Sequence, residues 1–178
     1  MKFLTLTFVL CFLIKISVAQ STMSSMLDRL SESDTLYVNF CVGAGEFASI
    51  HRGLMVYKKD NVLLCKYVLY KYGVSLLPNK LIEIESDVKA VPLQSDSIVK
   101  FYDVAKTNYF VMKNEWKLDK KQVLYLKDYF SELEKFKSKG FSNAPDFYTV
   151  MSSEKSFVVL DLRGKWDKFS EVKKVMNL

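Results

Sequence analysis

The chain has 178 residues, of which 49% are hydrophobic and 26% are charged, with only 6 Gly and 3 Pro. This composition is typical of a globular protein and excludes collagen, a disordered tail and a disulfide-rich miniprotein. The 3 Cys are too few for a structural metal site built from four thiolates. A single domain of this length buries roughly 70% of its unfolded surface, so the fold needs no metal or disulfide to persist.

Residues 1–19 have the pattern of an export signal. Lys2 gives the charged start, residues 3–14 form a mostly apolar run, and residues 17–19 are small around the expected cut. A membrane anchor would need about 20 apolar residues, and Lys15 interrupts the run before that length is reached. We therefore predict a signal peptide over 1–19, no transmembrane anchor after cleavage, and a periplasmic or secreted protein.

Charge is distributed unevenly along the chain. Removal of the predicted leader changes the formal charge from +6 to +4, because two lysines and no acid are lost. Residues 111–178 hold 14 basic and 10 acidic side chains, whereas residues 20–110 hold 10 of each. Because no basic run carries interleaved aromatic residues, the sequence predicts no nucleic-acid partner.

The first predicted elements are a short N-terminal segment and a β-meander. Residues 20–34 place Met26, Leu27 and Leu30 at helical spacing, which predicts one short helix or a loose segment. Alternating apolar residues then predict strands at about 36–42, 47–58 and 62–71. The turns between them fall at 43–45 and at Asp60-Asn61, since Gly, Asp and Asn tolerate positive φ.

The Asp60-Asn61 turn also predicts the register of its hairpin, with Tyr57 opposite Leu64 and Val56 opposite Cys65. The predicted core face then holds Leu54, Val56, Leu63, Cys65, Tyr67 and Leu69. The opposite face, expected to be half covered, holds His51, Met55, Tyr57, Leu64, Lys66, Val68 and Tyr70.

Residues 73–116 give the weakest pattern in the chain. Residues 81–87 alternate like a strand, and residues 90–97 around Pro92 have the composition of a loop. Residues 98–105 and 109–113 fit either a second hairpin or part of a helix, and both interpretations stay open.

The C-terminal third predicts a helix, a hairpin and a terminal helix. Residues 119–139 begin with Asp119 as N-cap and Gln122 reaching back, and Gly140 follows the helix. Its apolar face is formed by Val123, Leu126, Phe130, Leu133 and Phe136. Strands follow at 147–151 and 157–162, and then Trp166, Phe169, Val172, Val175 and Met176 recur at helical spacing.

Together these elements predict one α+β domain over residues 35–178. In it an antiparallel β-meander packs against a long amphipathic helix, and a hairpin and a C-terminal helix follow.

Residues 43–48 match the G-x-G-x-x-G/A pattern of dinucleotide-binding folds. That motif requires a helix next, but Gly53 and the β-rich residues 54–57 follow instead. We therefore interpret residues 43–48 as a glycine-containing hairpin and predict no cofactor.

His51 is the only histidine, and the mature chain retains two thiols, Cys41 and Cys65. The predicted register puts His51 opposite Tyr70 and puts Cys65 on the other face, so a nucleophile and base in contact are not expected there. Cys41 and Cys65 fall on strands that flank a third, about 9 to 10 Å apart, which exceeds disulfide reach. Two buried thiols are predicted, although a different strand order would permit a disulfide.

Three carboxylates alternate at Glu83, Glu85 and Asp87, and a strand would place them on one face. Such a face has the oxygen donors of a calcium site and the paired acids of a glycosidase. Because alternate side chains of antiparallel sheets commonly face solvent, we predict a solvated face and neither a metal site nor catalytic residues.

Several features resemble small exported proteins of Bacteroidetes that have no assigned activity. The similarity rests on Gly45-Glu46-Phe47, on the strand 54–58, on a helix like 118–136, on 145–150 and on Asp161 with Trp166 to Phe169. The resemblance implies export and a single domain. It implies no active-site residue.

Three functional hypotheses follow. The first is a non-catalytic exported binding protein, of inhibitor or immunity type, that binds an unknown protein or envelope component through aromatic and basic surface near the terminal helices. The second is a hydrolase of an envelope polymer that uses Glu83, Glu85 or Asp87. The third is a carrier of a small apolar ligand.

Overall fold

A computed structural model of the protein describes residues 22–42, 50–70, 91–92, 109–136, 146–153, 156–161, 164 and 166–178. The described helices are α1 (Met23–Arg29), α2 (Lys120–Lys135) and α3 (Lys168–Val175). The described strands are β1 (Thr35–Val42), β2 (Ile50–Lys59), β3 (Val62–Tyr70), β4 (Val91–Pro92), β5 (Tyr109–Lys117), β6 (Asp146–Met151) and β7 (Ser156–Asp161).

These strands form one antiparallel sheet in the order β4-β7-β6-β1-β2-β3-β5. The predicted α+β class with an antiparallel sheet is therefore confirmed. The predicted meander corresponds to β1, β2 and β3, which lie side by side in the sheet in the same order as in the chain. The sheet then extends on both sides, because β6 pairs with β1 and β5 pairs with β3, and neither pairing was predicted.

The β2–β3 hairpin has the predicted turn and register. Asp60 and Asn61 have φ of 51° and 59°, as a tight hairpin turn requires. The partners Tyr57↔Leu64 and Val56↔Cys65 are observed. The two turn residues therefore suffice to set the register of two strands that are adjacent in the chain.

All three helices contribute to the core on one face of the sheet. Its fully buried strand residues include Leu54, Val56 and Cys65 from the predicted core face, with Leu63 and Tyr67 partly buried against them. The helices supply Met26 and Leu27 from α1, Leu126, Phe130 and Leu133 from α2, and Phe169 and Val172 from α3. Burying such side chains contributes about 1.5 to 3 kcal/mol each.

Helix α2 begins with the predicted capping box. The Gln122 amide donates to Asp119 Oδ1 at 2.7 Å, and the Asp119 amide donates to Gln122 Oε1 at 3.2 Å. The Gln122 side-chain amide also donates to the Val175 carbonyl at 3.2 Å, which ties the start of α2 to the end of α3. The helix ends at Lys135, where Phe136 turns to an extended backbone conformation, so it ends four residues before the end of the predicted 119–139; Gly140 lies outside the described residues.

The opposite face of the sheet is half covered, as predicted, because His51, Tyr57 and Leu64 are only partly buried. Met55, Val68 and Tyr70 are all buried there. Three of its polar side chains bond to one another: the Asn39 amide donates to Thr149 Oγ1 at 3.1 Å, and the Tyr70 hydroxyl donates to Asn39 Oδ1 at 2.8 Å. This network is why polar side chains are tolerated at the centre of the sheet.

Two weakly patterned segments differ from their predictions. Val91 and Pro92 form a two-residue strand paired with Val158 and Phe157, where a loop was expected. Proline is acceptable there because β4 is an edge strand. Residues 109–113, which fitted either a hairpin strand or part of a helix, lie in strand β5, which continues beyond that segment to Lys117; residues 98–105 lie outside the described part of the chain.

Candidate functional site

Cys41 and His51 face each other across β1 and β2. They are direct register partners, and Cys41 Sγ lies 3.6 Å from His51 Nε2. Phe147 is the partner of Cys41 on the other side, in β6, and its ring meets the imidazole edge-on at a centroid distance of 5.8 Å. The expectation that His51 contacts no thiol is therefore wrong.

The error arose from the β1–β2 register. A turn confined to 43–45 would pair Val42 with a residue directly after the turn. In the structure, Val42 pairs with Ile50. This register moves His51 next to Cys41. Cys65 was expected on the face of the sheet opposite His51. It does lie on that face, in the core that the helices cover.

Burial determines the chemistry of this pair. Desolvation lowers the pKa of His51 below its ordinary value of 6.5, which favours the neutral imidazole at neutral pH. A thiol beside a neutral imidazole has the composition of a nucleophile and its base. However, Cys41 is 0% exposed, so its sulfur is closed to a substrate in this conformation.

The two thiols remain separate. Cys41 and Cys65 are both buried, and no disulfide joins them, as predicted. Burial raises the pKa of Cys65, and its Sγ lies 3.8 Å from the Lys66 carbonyl, to which it donates.

The other candidate residues fall in parts of the chain that the structure does not describe. Glu83, Glu85, Asp87 and the 43–48 motif lie outside the described residues, although β2 is a strand from Ile50 onward and not the helix that a dinucleotide motif requires. Among the described residues, no three His, Cys, Asp or Glu side chains converge on a metal position.

Asp161 has a structural partner. It is fully buried, and its Oδ2 accepts a hydrogen bond from the Trp166 amide at 2.6 Å. The Tyr148 hydroxyl donates to the Trp166 carbonyl, which fixes the same residue from the other side. Asp161 therefore orients the chain that leads into α3.

An exposed apolar run lies on the edge strand β5. Phe110, Val111 and Met112 are 57%, 45% and 57% exposed, and we call these three residues the β5 patch. Among the described strands, β5 pairs with β3 alone, so it forms one end of the described sheet. The sequence pattern left residues 109–113 open between a hairpin strand and part of a helix, and neither pattern predicts which side chains stay exposed.

A shallow groove lies where the β2–β3 turn meets the start of α2. Its volume is about 550 Å³. The apolar lining includes Leu63, Leu118 and Val123, and Lys117, Lys120 and Lys127 are its basic residues. We call this feature the lysine groove. The basic excess of residues 111–178 predicted a basic surface near the terminal helices, but not its concentration beside the β2–β3 turn.

None of the helices in the described part of the chain is long and apolar enough to cross a bilayer. Comparison of the chain with protein-family models, curated proteins and solved structures found no significant match.

Proposed function

We propose that this protein is a non-catalytic, exported binding protein whose partner contacts the β5 patch. The observation that carries the proposal is the exposure of Phe110, Val111 and Met112, three consecutive apolar residues of a strand at the end of the described sheet. Single exposed apolar residues are ordinary on protein surfaces, whereas contiguous ones mark interaction sites. Export rests on the leader pattern of residues 1–19, and the partner would be a protein or component of the envelope.

The geometry of β5 favours side-chain contact over addition of a strand from the partner. The β3–β5 ladder shifts register between Cys65 and Tyr67 and again between Tyr67 and Val68. Such irregularities bend an edge strand and make it a poor template for another strand. The partner would therefore bury the apolar side chains of the β5 patch without extending the sheet.

In this proposal the chain after residue 19 forms one domain. The β-meander packs against the long helix, and the hairpin and the terminal helix complete the fold. A rigid sheet would hold the β5 patch in a fixed shape, which reduces the ordering cost of binding. The Cys41–His51 pair supports no competing hydrolase, because the thiol is buried.

Site-specific crosslinking tests this function. A photo-crosslinking amino acid at position 111 is expected to capture one envelope component, whereas the same group at the exposed position 128 on α2 captures none. Excess unlabelled wild-type chain should suppress the capture. The Phe110→Ser/Met112→Ser chain should not, and an exposed Lys174→Ser control should compete like wild type.

Two results would reject the proposal. One is equal capture at positions 111 and 128, and the other is equal competition by the wild-type and doubly substituted chains. A captured species with the mass of a dimer would identify the partner as a second copy of this protein.

A further inference from the structure

The lysine groove combines an apolar floor with two lysines that pair with no acid among the described residues. Leu63, Leu118 and Val123 line it, and Leu124 at its margin is 61% exposed. Lys127 Nζ lies 2.6 Å from Asp28 Oδ1 and is paired. Lys117 and Lys120 form no ion pair with any residue in the described part of the chain.

The carboxylate in the groove lining is already engaged. Asp119 Oδ1 accepts the Gln122 amide at 2.7 Å in the capping box. The cap also satisfies the end of α2, so an incoming anion would interact with the lysine side chains and not with the helix terminus. Lys117 and Lys120 therefore leave a positive field over an apolar surface that the rest of the described structure does not use.

Folding gives no reason for Lys120 to stand where it does. The first turn of α2 contains no acidic residue, and its first two residues are Lys120 and Lys121. A cation at a helix start is repelled by the backbone dipole, which slightly destabilises the helix. This local cost is consistent with selection for an external anionic group.

We propose that the lysine groove binds an acidic peptide segment of a partner protein. An apolar side chain of the peptide would rest on Leu63, Leu118 and Val123, while its carboxylates pair with Lys117 and Lys120. The concave shape favours a peptide over a bilayer, because a flat membrane surface cannot reach the floor of a groove. The groove is separate from the β5 patch, so this inference does not depend on the proposed function.

Fluorescence anisotropy with labelled synthetic peptides tests the inference. The probes are the acidic peptide DEDLEELDE, its neutral analogue NQNLQQLNQ, and DEDGEEGDE, which keeps the charges but lacks leucines. We expect the full chain to bind the first peptide at least about tenfold more tightly than either analogue. Raising the salt from about 50 to about 500 mM should weaken the binding, because exposed charge pairs are screened.

Charge reversal locates the site. The Lys117→Glu/Lys120→Glu chain should lose about tenfold or more in affinity, whereas the control Lys135→Glu/Lys174→Glu should change less than about twofold. Both have the same net charge, so a difference reports position. Far-UV circular dichroism and urea midpoints verify that each variant is folded.

Three results would overturn the inference. They are equal affinity of the two charge-reversed chains, equal binding of DEDLEELDE and NQNLQQLNQ, and binding of vesicles that contain phosphatidylserine without binding of the acidic peptide. The last result would assign the lysines to a lipid surface. The Phe110→Ser/Met112→Ser chain should bind the peptide like wild type, so failure at either surface is recognised separately.

Discussion

At the scale of single residues, Gly53 makes the polar centre of the sheet possible. A Cβ at this position would lie 2.2 Å from Asn39 Oδ1 and 2.8 Å from the Val38 carbonyl oxygen. The first contact involves the amide that accepts the Tyr70 hydroxyl, and the second involves backbone in the adjacent strand. Neither atom can withdraw without loss of a hydrogen bond or of strand pairing.

We therefore expect Gly53→Ala to lower the free energy of unfolding by about 2 to 3 kcal/mol. Urea denaturation followed by circular dichroism measures this change. Lys59→Ala on the same strand serves as the control, since Lys59 is exposed and should change stability by less than about 0.5 kcal/mol. A Gly53→Ala protein with the wild-type midpoint would show that the sheet centre can relax around the methyl group.

His51 predicts a pH dependence of stability. Because burial lowers its pKa in the folded state, the unfolded chain binds a proton more readily as the pH falls below 6.5. The contribution of neutral His51 is therefore complete above pH 6.5 and is lost as the pH falls through the lower pKa of the folded state. No other side chain type has an ordinary pKa in this range.

The measurement compares wild type with His51→Gln by urea denaturation between about pH 7.5 and about pH 5.5. Wild type should lose stability toward the acidic end, and the variant should lose less. Since His51 is the only histidine, the difference between the two curves isolates its proton. Parallel curves would mean that His51 has the same pKa in both states.

The Cys41–His51 contact shows why residue identity alone could not predict this site. The sequence contains one imidazole and two mature thiols, so the possible pairs were few. Which pair forms depends on the β1–β2 register, and the turn predicted at 43–45 implies a different register from the observed pairing of Val42 with Ile50. An alignment shifted by four residues on one strand changes the neighbour of every side chain on the other.

At the scale of elements, the β2–β3 hairpin is set by its two turn residues. Asn61 has φ of 59°, a conformation that Asn and Gly tolerate and β-branched residues do not. Its amide also donates to Glu32 Oε1 at 3.1 Å, a bond that any non-proline residue retains. Substitutions at this position therefore test backbone conformation with little change in contacts.

We expect Asn61→Val to destabilise the protein by about 1 to 2 kcal/mol through strain in the left-handed region. Asn61→Gly should remain within about 0.5 kcal/mol of wild type, because glycine adopts this φ freely. Thermal unfolding of the two variants side by side measures the difference. Equal melting temperatures would indicate that the turn rearranges without strain.

Elements with local signals were predicted well. The capping residues Asp119 and Gln122 both form their hydrogen bonds, and the apolar spacing of α2 matches the face that packs on the sheet. In contrast, the exposure of the β5 patch and the composition of the lysine groove depend on which strands lie beside them. Those neighbours are distant in sequence and leave no periodic signal.

At the scale of the whole molecule, the sheet order explains the remaining limits of prediction. Hydrophobic alternation identifies strands and their inward faces, but it does not identify partners across the chain. The strand pattern anticipated the β6–β7 hairpin because its members are adjacent. It did not anticipate that this hairpin joins the sheet beside β1, which places residues 110 positions apart, Asn39 and Thr149, in one hydrogen bond.

The central position of β1 in the sheet has a consequence for how the chain folds during synthesis. Its partner β6 is synthesised more than a hundred residues later, so a nascent chain holds β1 with one side unpaired until that segment emerges. Contacts with long sequence separation close slowly, since loop entropy is lost before they form. Chaperones that hold extended polypeptides would therefore have their longest opportunity to act before residues 146–151 arrive.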